Sequence, residues 1–359
     1  MGWLTGWTYR KSITLSRASG AVTNYQLKLK VGESSGATGE DVDCNSHALT
    51  TFNDLRFTTS DGSTLLSYWI ESLTGTTPNQ LATVWIEFDS IGTGDTTFYM
   101  YYGKAGASAV SSITDTFLGG DDGVTGNFTE AVLGTAAFSH ASGDYTLTED
   151  STDDAASTGY VLSNWNFLSW ILVAKPFTGI STAGHVEMFG LFDSSTLAGM
   201  IGTVAAVNAK RRFYFARYNS NYSTSPDQFF VAYQNTSAAY QFWTGSAWGG
   251  GVTLFSATSV NLQIKVWSDG TNLLCDVYNA SGVSYFTSPA SIAITSVQAF
   301  SSGKCLALAD IYSDAYAFTA SVDNYFAAQY LSTEPAWGSW GTETLIAKPS
   351  FCTVAMSTA

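Results

Sequence analysis

Residues 262–278 read Leu262-Gln263-Ile264-Lys265-Val266-Trp267, then Ser268-Asp269-Gly270-Thr271-Asn272, then Leu273-Leu274-Cys275-Asp276-Val277-Tyr278. Apolar and polar residues alternate on both sides of an Asp-Gly turn, which is the typical pattern of two antiparallel strands joined as a hairpin. Alternation with a period of two gives each strand one apolar face. Because that face must pack against another layer, the stretch predicts a sheet that covers a core.

The same alternation recurs along most of the chain. Tyr25, Leu27, Leu29 and Val31 alternate with polar neighbours, and residues 55–58 lead into a second hairpin turn at Asp61-Gly62. Further strands are predicted over residues 66–71, 82–88, 97–103, 164–174, 186–192 and 212–217.

The composition agrees with an all-β protein. The chain has 359 residues, of which 45% are hydrophobic, 14% aromatic and only 12% charged. This content excludes intrinsic disorder. The polar residues are mainly Ser, Thr, Asn and Gly, which suit strand faces and turns better than the surfaces of a helical bundle.

A composition shift divides the chain into two predicted modules. The first, residues 1–110, is a compact antiparallel β-sandwich, and residues 103–112 are small and polar, as in a linker. The second module covers residues 111–335 and is again a β-sandwich. The remainder, residues 336–359, contains two Trp and is interpreted as a C-terminal arm that could pack on a neighbouring subunit.

Five sequence blocks of the first module resemble the domain of unknown function 2341 family and occur in that family's order. They are residues 7–14 (WTYRKSIT), 54–62 (DLRFTTSDG), 68–72 (YWIES), 84–86 (VWI) and 98–103 (FYMYYG). The family occurs in bacterial and archaeal surface proteins and in phage structural proteins, and it implies no established chemistry. Its members commonly place this module before a concanavalin-like jelly roll.

The second module resembles a concanavalin-like or laminin-G-like jelly roll in its strand order and in the hairpin at residues 262–278. Asp115-Thr116-Phe117 stands where such a module would begin, and residues 325–335 resemble a closing segment. Concanavalin-like folds include both lectins and glycosidases, so the fold that the resemblance implies does not choose between them.

Charge and hydropathy restrict the partners. The net charge of −14 would repel a phosphate backbone, so we expect no nucleic-acid partner. No window approaches the roughly 18 apolar residues of a membrane-spanning helix. The opening Met1-Gly2-Trp3-Leu4-Thr5 does not resemble a signal peptide. We therefore expect either a protein made without Sec export, such as a virion component, or one from which a leader was removed.

The four cysteines are Cys44, Cys275, Cys305 and Cys352, and none belongs to a C-x-x-C pair. A zinc knuckle is therefore not supported. Two disulfides are one interpretation. For Cys275, which alternates with Leu273 and Val277, a small buried apolar residue is the favoured interpretation.

The sequence contains only weak matches to known catalytic motifs. The nearest string to the E-x-D-x-x-E strand of laminarinase-type enzymes is Glu87-Phe88-Asp89, with Gly92 in place of the third acid, and it is interpreted as a solvated strand edge. His185 and Glu187 would share a strand face near Asp193, but an ordinary polar face is favoured over an acid–base pair. The chain has no G-x-S-x-G, P-loop or H-E-x-x-H motif.

An acidic tract offers candidate ligands for Ca²⁺, which is the only cofactor that the sequence suggests. Carboxylate oxygens on loops are the ligands that this ion collects, and laminin-G-like modules often bind it. A solvated, self-repelling loop is nevertheless the favoured interpretation, so no cofactor is expected and Ca²⁺ is the alternative. The candidate residues are Asp121, Asp122, Glu149 and Asp150.

The segment 218–251 is the predicted recognition surface. Sugars need flat aromatic rings for their C–H faces and amides or carboxylates for their hydroxyls, and this segment supplies both. Trp243 and Trp248 flank a Gly-rich turn and are predicted to be exposed platforms. The other predicted ligand-binding residues are Tyr218, Asn219, Asn221, Tyr222 and Asp227.

Together these features predict a non-catalytic surface or adhesion protein on a virion or cell surface, a decoration or host-attachment component with weak glycan binding. Its partners would be a glycan or cell-surface polysaccharide, further copies of itself, or other virion or surface proteins. One alternative is a secreted glycoside hydrolase or polysaccharide lyase, with Glu187 and Asp193 facing each other across a groove. The other is a purely structural assembly subunit. The basic cluster Lys210-Arg211-Arg212 is interpreted as a solvated turn before the strand at Phe213, and pairing with a carboxylate of a neighbouring subunit is the alternative.

Overall fold

The structure is a computed structural model that describes residues 2–18, 20–37, 39–121, 129–141, 144–149, 155–161, 170–178, 186–200, 209–218, 228–256, 262–301, 305–310 and 318–345. Contacts between residues divide the chain into two units. Unit 1 comprises Met1–Thr116 and Thr333–Ala359, and unit 2 comprises Phe117–Ser332. Both are built almost entirely from strands, which confirms the predicted all-β class.

The strands are numbered along the chain. The first eight are β1 (Tyr9–Arg17), β2 (Val22–Gly32), β3 (Val42–Asp43), β4 (Arg56–Thr58), β5 (Leu65–Leu66), β6 (Tyr68–Thr74), β7 (Leu81–Ile91) and β8 (Gly94–Tyr102). A single-turn helix α1 (Ile113–Thr116) follows. Unit 2 then begins with β9 (Gly119–Asp121), β10 (Thr129–Leu133), β11 (Ala137–Ala141), β12 (Asp144–Glu149), β13 (Ala155–Val161), β14 (Trp170–Thr178) and β15 (Val186–Phe192).

The rest of unit 2 contains β16 (Arg211–Tyr218), β17 (Gln228–Gln234), β18 (Tyr240–Trp243), β19 (Trp248–Gly249), β20 (Phe255–Ser256), β21 (Leu262–Ser268), β22 (Asn272–Tyr278), β23 (Ala290–Ala293), β24 (Cys305–Asp310) and β25 (Phe318–Gln329). Two short 3₁₀ turns lie at Ala198–Met200 and Ile294–Ser296. The chain returns to unit 1 with β26 (Ala336–Trp340) and β27 (Thr344–Leu345).

Unit 1 is a sandwich of two sheets. One has the order β26-β1-β8-β4-β5, with β27 also paired to β1, and the other has the order β3-β2-β7-β6. All pairings are antiparallel except β2 with β3. Phe88 of one sheet contacts Phe98 of the other in an edge-to-face arrangement with ring centroids 4.5 Å apart. The predicted alternation of β2 is confirmed, because Tyr25, Leu27 and Leu29 are all buried.

The Asp61-Gly62 hairpin is also confirmed. Phe57 of β4 pairs with Leu66 of β5, and the Asp61 carboxylate accepts hydrogen bonds from the backbone N–H groups of Ser63 and Thr64. The hydroxyl of Thr64 donates to the same carboxylate, and these bonds lower its pKa. The predicted strand over residues 66–71 is wrong in one respect. It divides at Ser67, so β5 stays beside β4 and β6 joins the other sheet.

The predicted C-terminal arm is wrong for residues 336–345, which form strands of unit 1. Trp337 pairs with Leu15 of β1, and Leu345 pairs with Tyr9. Trp337 is half-buried, and its ring lies 6.0 Å from that of Phe88. Packing of this indole against the core therefore accounts for the difference from a free arm. Residues 346–359 lie outside the described residues.

Glu343 links the segment between β26 and β27 to the body of unit 1. Its Oε2 accepts a hydrogen bond from the Tyr102 hydroxyl at 2.7 Å and lies 3.0 Å from His47 Nδ1. Burial raises the pKa of Glu343, but the hydrogen bonds from His47, Tyr102 and Asn45 outweigh burial and hold that pKa below its usual value.

This depressed pKa predicts an acid-sensitive contribution to the stability of unit 1. Such a carboxylate stabilises the folded state above its unfolded pKa of about 4.3, and the contribution is lost as pH falls through the lower folded value. We expect the free energy of unfolding to fall more steeply between about pH 4.5 and 3 in the wild type than in a Glu343→Gln variant. Urea unfolding across this range measures both slopes, and parallel pH profiles would contradict the assignment.

Unit 2 contains two larger sheets. One has the order β10-β13-β24-β15-β16-β17-β18-β19, and the other has the order β11-β12-β25-β14-β21-β22-β23. A shared cluster of buried side chains includes Phe215 and Phe229 from the first sheet and Ile264 and Val277 from the second. Because both sheets contribute to one core, unit 2 is a β-sandwich, as the sequence predicts.

The hairpin at residues 262–278 is confirmed in its register. β21 pairs with β22 antiparallel, and Ser268 lies opposite Leu273. Gly270 adopts a φ of +88°, which glycine tolerates without strain, and the Asp269 carboxylate accepts hydrogen bonds from the backbone of Thr271 and Asn272.

Cys275 is fully buried on β22, which confirms its interpretation as a small core residue. Cys44 in unit 1 is buried as well, and both carry free thiols. Burial raises the pKa of both thiols well above the usual value. Both side chains are therefore held as neutral core groups rather than as reactive thiolates.

Within the ranges given above, no helix combines the length and the apolar character required to cross a membrane.

Candidate functional site

The two predicted tryptophan platforms are not exposed. Trp243 and Trp248 pair across β18 and β19, and their ring centroids lie 5.2 Å apart. Trp243 is only 5% exposed and belongs to the core of unit 2. Trp248 is half-buried, donates from Nε1 to the Ser291 carbonyl at 2.7 Å and packs edge-to-face on Tyr233. The prediction of exposure is wrong because this face of the hairpin points inward.

The other predicted ligand-binding residues lie at the end of β16 or outside the described residues. Tyr218 is the last residue of β16, and nothing is described of its side chain. Asn219, Asn221, Tyr222 and Asp227 lie outside the described residues. A role of these five residues in binding stays a prediction.

Asp121 and Glu149 do not share one ion site. Asp121 ends β9 and Glu149 ends β12, so both lie on strands rather than on the predicted loops. Both strands pair with β25, where Asp121 is opposite Tyr325 and Glu149 is opposite Phe318. Seven residues of strand separate these positions by about 23 Å, too far for one cation to bind both.

Asp122 and Asp150 lie outside the described residues, so a calcium site near either end stays a prediction. In the described part of the chain, no three His, Cys, Asp or Glu side chains converge as metal ligands.

A pocket of about 520 Å³ lies beside the turn that follows β17. We call it the Phe300 pocket. Its lining residues are Thr236, Ile294, Thr295, Val297, Gln298 and Phe300. Ile294, Val297 and Phe300 give it an apolar floor that is continuous with the core of unit 2. The hydroxyls of Thr236 and Thr295 lie on exposed residues at its rim.

Local hydrogen bonds fix the walls of the Phe300 pocket. Asn235 closes a turn in which its Oδ1 accepts from the backbone of Ser237 and Ala239. On the opposite wall, the Gln298 backbone N–H donates to the Gln234 carbonyl at 2.7 Å. In the amide orientation that satisfies both partners, the Gln298 side chain donates to the carbonyls of Asn235 and Thr236 at 3.0 and 3.1 Å. The two walls are therefore tied together.

A buried ion pair supports the pocket from behind. Arg212 and Asp193 are 4% and 3% exposed, and Arg212 Nη2 lies 2.6 Å from Asp193 Oδ2. Arg212 also donates to Gln234 Oε1 at 2.7 Å and to the Ala299 carbonyl at 3.2 Å. Asp193 accepts hydrogen bonds from the N–H and the hydroxyl of Ser301. The pair thus joins β16 and β17 to the segment that carries Phe300.

This network corrects the interpretation of the basic cluster. Arg212 is a buried structural cation and not part of a solvated turn, because Asp193 and three carbonyl oxygens replace its hydration. The sequence signal that could have suggested this is the position of Arg212 directly before the apolar run Phe213-Tyr214-Phe215-Ala216 of β16, which is buried throughout. Its partner, 19 residues earlier in the chain, cannot be read from local spacing.

Asp193 does not serve as one of the two carboxyl groups that glycoside hydrolysis needs. A retaining or inverting glycosidase needs two accessible carboxyl groups about 5–10 Å apart, whereas Asp193 is buried and bound to Arg212 and Ser301. Glu187 lies on β15, and nothing is described of its side chain.

The Glu87–Asp89 string lies on β7 of unit 1, and the interpretation of it as a solvated edge is only half right. Asp89 is exposed, but Glu87 is half-buried, and burial, followed by the charges of Asp89 and Asp115, raises its pKa. A raised carboxyl pKa alone does not make a general acid of Glu87, because glycoside hydrolysis also needs a second carboxyl group across the substrate.

The Phe300 pocket has the chemistry of a site for a small neutral polar ligand. None of its lining side chains is charged. Its apolar floor and aromatic ring suit C–H groups, while the hydroxyls of Thr236 and Thr295 suit hydroxyl groups. Its volume falls in the usual range of ligand pockets. The predicted recognition segment 218–251 includes Thr236 but not residues 294–300, because the latter contain neither Trp nor a charged residue that would indicate a site.

Comparison with known proteins adds one finding. A family model described as a domain of unknown function (DUF2341) matches residues 51–131. The match covers under a quarter of the chain. It contains four of the five sequence blocks named above, and the block at residues 7–14 lies before it. It also extends beyond Thr116, where unit 1 passes into unit 2. The description carries no function, and no curated protein matches the chain.

Proposed function

We propose that this protein is a non-catalytic surface or adhesion protein that binds glycans weakly through unit 2, which we infer to be a concanavalin-like jelly roll. The Phe300 pocket is the observation that carries the proposal, since it combines an aromatic ring and two rim hydroxyls in one uncharged concavity. Its rigid support by Arg212 and Asp193 favours binding, because little side-chain entropy is lost when the ligand enters.

The setting that we propose is the surface of a virion, as a decoration or host-attachment component, or the surface of a cell. The low charge content and the Ser-, Thr-, Gly- and aromatic-rich strands suit a subunit that is used in many copies. Many copies compensate for weak single sites, because linked binding raises avidity by about 10²–10⁴.

A glycan array probed with the soluble protein tests this function. We expect binding to a subset of neutral glycans, and we expect it to weaken about tenfold in a Thr236→Val/Thr295→Val variant, because each isosteric change removes one hydroxyl hydrogen bond from the rim. Thr271→Val, on the exposed turn between β21 and β22, is the matched control and should bind like the wild type.

Three outcomes of the array contradict the proposal in different ways. Equal binding by the wild type and the double rim variant would remove the Phe300 pocket as the site. Silence across the array would favour the purely structural assembly subunit. Shortened oligosaccharides after incubation would favour the glycoside hydrolase or lyase.

A further inference from the structure

A second concave surface lies in unit 1, along the edge of β2 that faces away from β7. We call it the Trp337 groove, and its volume is about 340 Å³. The residues that matter for its chemistry are Lys28, Lys30, Asp41, Glu334, Ala336 and Trp337. Every one of them belongs to unit 1, so the groove is complete within that unit.

The indole of Trp337 is held in a fixed orientation at one side of the groove. Its Nε1 donates to the Lys28 carbonyl at 2.9 Å, and its ring is stacked on Trp340 with centroids 5.9 Å apart. Phe88 packs against it from the core side. A half-buried ring with these three contacts offers a flat face to a ligand without having to reorient.

The polar side of the groove is equally fixed. Asp41 Oδ2 accepts a hydrogen bond from the Lys30 backbone N–H at 2.7 Å, and the Asp41 N–H donates back to the Lys30 carbonyl. Glu334 Oε1 accepts from the Tyr25 hydroxyl at 3.2 Å. Each carboxylate can accept further hydrogen bonds, and the side chains of Lys30, Asp41 and Glu334 all belong to exposed residues.

The balance of charge indicates the class of ligand. The groove carries two ammonium and two carboxylate groups, and Lys28 is already paired with Glu71 at 2.9 Å. A strongly charged ligand would meet repulsion as well as attraction there. A neutral pyranose fits better, because its C–H face can cover the indole while its hydroxyls donate to Asp41 and Glu334 and accept from Lys30.

We propose that the Trp337 groove is a carbohydrate-binding site for neutral oligosaccharides, separate from the Phe300 pocket. It shares the ligand class of the proposed function but none of its residues. A chain with one site in each unit could engage a polysaccharide at two points, which raises its avidity without any further contact.

The test follows the fluorine NMR resonance of Trp337. The full chain is labelled with 5-fluorotryptophan, and a Trp337→Phe variant assigns the fluorine signal of residue 337 among the 11 tryptophans. The probes are maltohexaose, cellohexaose, laminarihexaose and chitohexaose as neutral chains, and hyaluronan and alginate hexamers as anionic ones. We expect at least one neutral probe to shift this signal saturably, in the wild type and equally in a Phe300→Ala variant.

Rim variants give the matched comparison. Lys30→Ala should weaken the binding of that probe about tenfold, because it removes a charged hydrogen-bond donor, while Lys104→Ala in the same unit should leave it unchanged. The proposal is overturned if no neutral probe shifts the signal, if only anionic probes do, or if Lys30→Ala has no effect. Loss of the shift in Phe300→Ala would also overturn it, since the signal would then report the other site.

Discussion

Replacing Arg212 by methionine is expected to destabilise unit 2 by about 3–5 kcal/mol. The substitution keeps an unbranched apolar stem but leaves the buried Asp193 carboxylate without its counter-ion. It also removes the hydrogen bonds to Gln234 Oε1 and to the Ala299 carbonyl. Urea unfolding of the full chain, followed by the fluorescence of its tryptophans, measures the loss.

A compensating variant distinguishes the stability lost through the unpaired charge from the stability lost through poorer packing. Arg212→Met combined with Asp193→Asn removes both charges, so we expect it to recover part of the stability lost in the single variant. A single variant that unfolds within about 0.5 kcal/mol of the wild type would contradict the buried pair. In that case Arg212 would behave as the solvated residue of the sequence interpretation.

Truncating Phe229 to alanine is the second large expected effect, a loss of about 3–5 kcal/mol. Phe229 is fully buried on β17, and its ring lies 5.6 Å from Phe215, 5.4 Å from Phe255 and 5.1 Å from Tyr285. Phe215 and Phe255 belong to the same sheet as Phe229, whereas Tyr285 lies between β22 and β23 of the other sheet, so the cavity would open in the core that both sheets share. Thermal unfolding should show a lower midpoint for unit 2.

Phe255→Ala is the matched control for this truncation. Phe255 stacks on Phe229 but is only half-buried, so we expect a smaller loss than at Phe229. Similar losses at the two positions would contradict the burial assigned to them. The order of the two effects thus tests whether the core lies on the side of β17 that faces the second sheet.

Local patterns account for the parts of the fold that the sequence predicts correctly. The hairpins at Asp61-Gly62 and Asp269-Gly270 depend on turn chemistry and on alternation within a few residues, and both appear with the expected pairing. The burial of Cys275 follows from the same alternation. Such features need no information from distant parts of the chain.

Features that depend on distant partners could not be predicted. Nothing near Trp243 indicates that its face of the hairpin points into the core, because the glycines beside it are equally compatible with an exposed ring. Arg212 meets Asp193, 19 residues earlier in the chain, and the Ala299 carbonyl, 87 residues later, and no local pattern indicates either partner. The Trp337 groove joins residues 309 positions apart, and β26 could not be placed beside β1 without the packing of its tryptophans.

The most direct test of the account is equilibrium binding of the purified chain to its strongest array glycan, with the length of the glycan measured in the same sample. The account predicts saturable binding that the double rim variant of the Phe300 pocket weakens about tenfold, with the glycan recovered at full length. Recovery of shorter chains, or identical binding curves for wild type and variant, would contradict it.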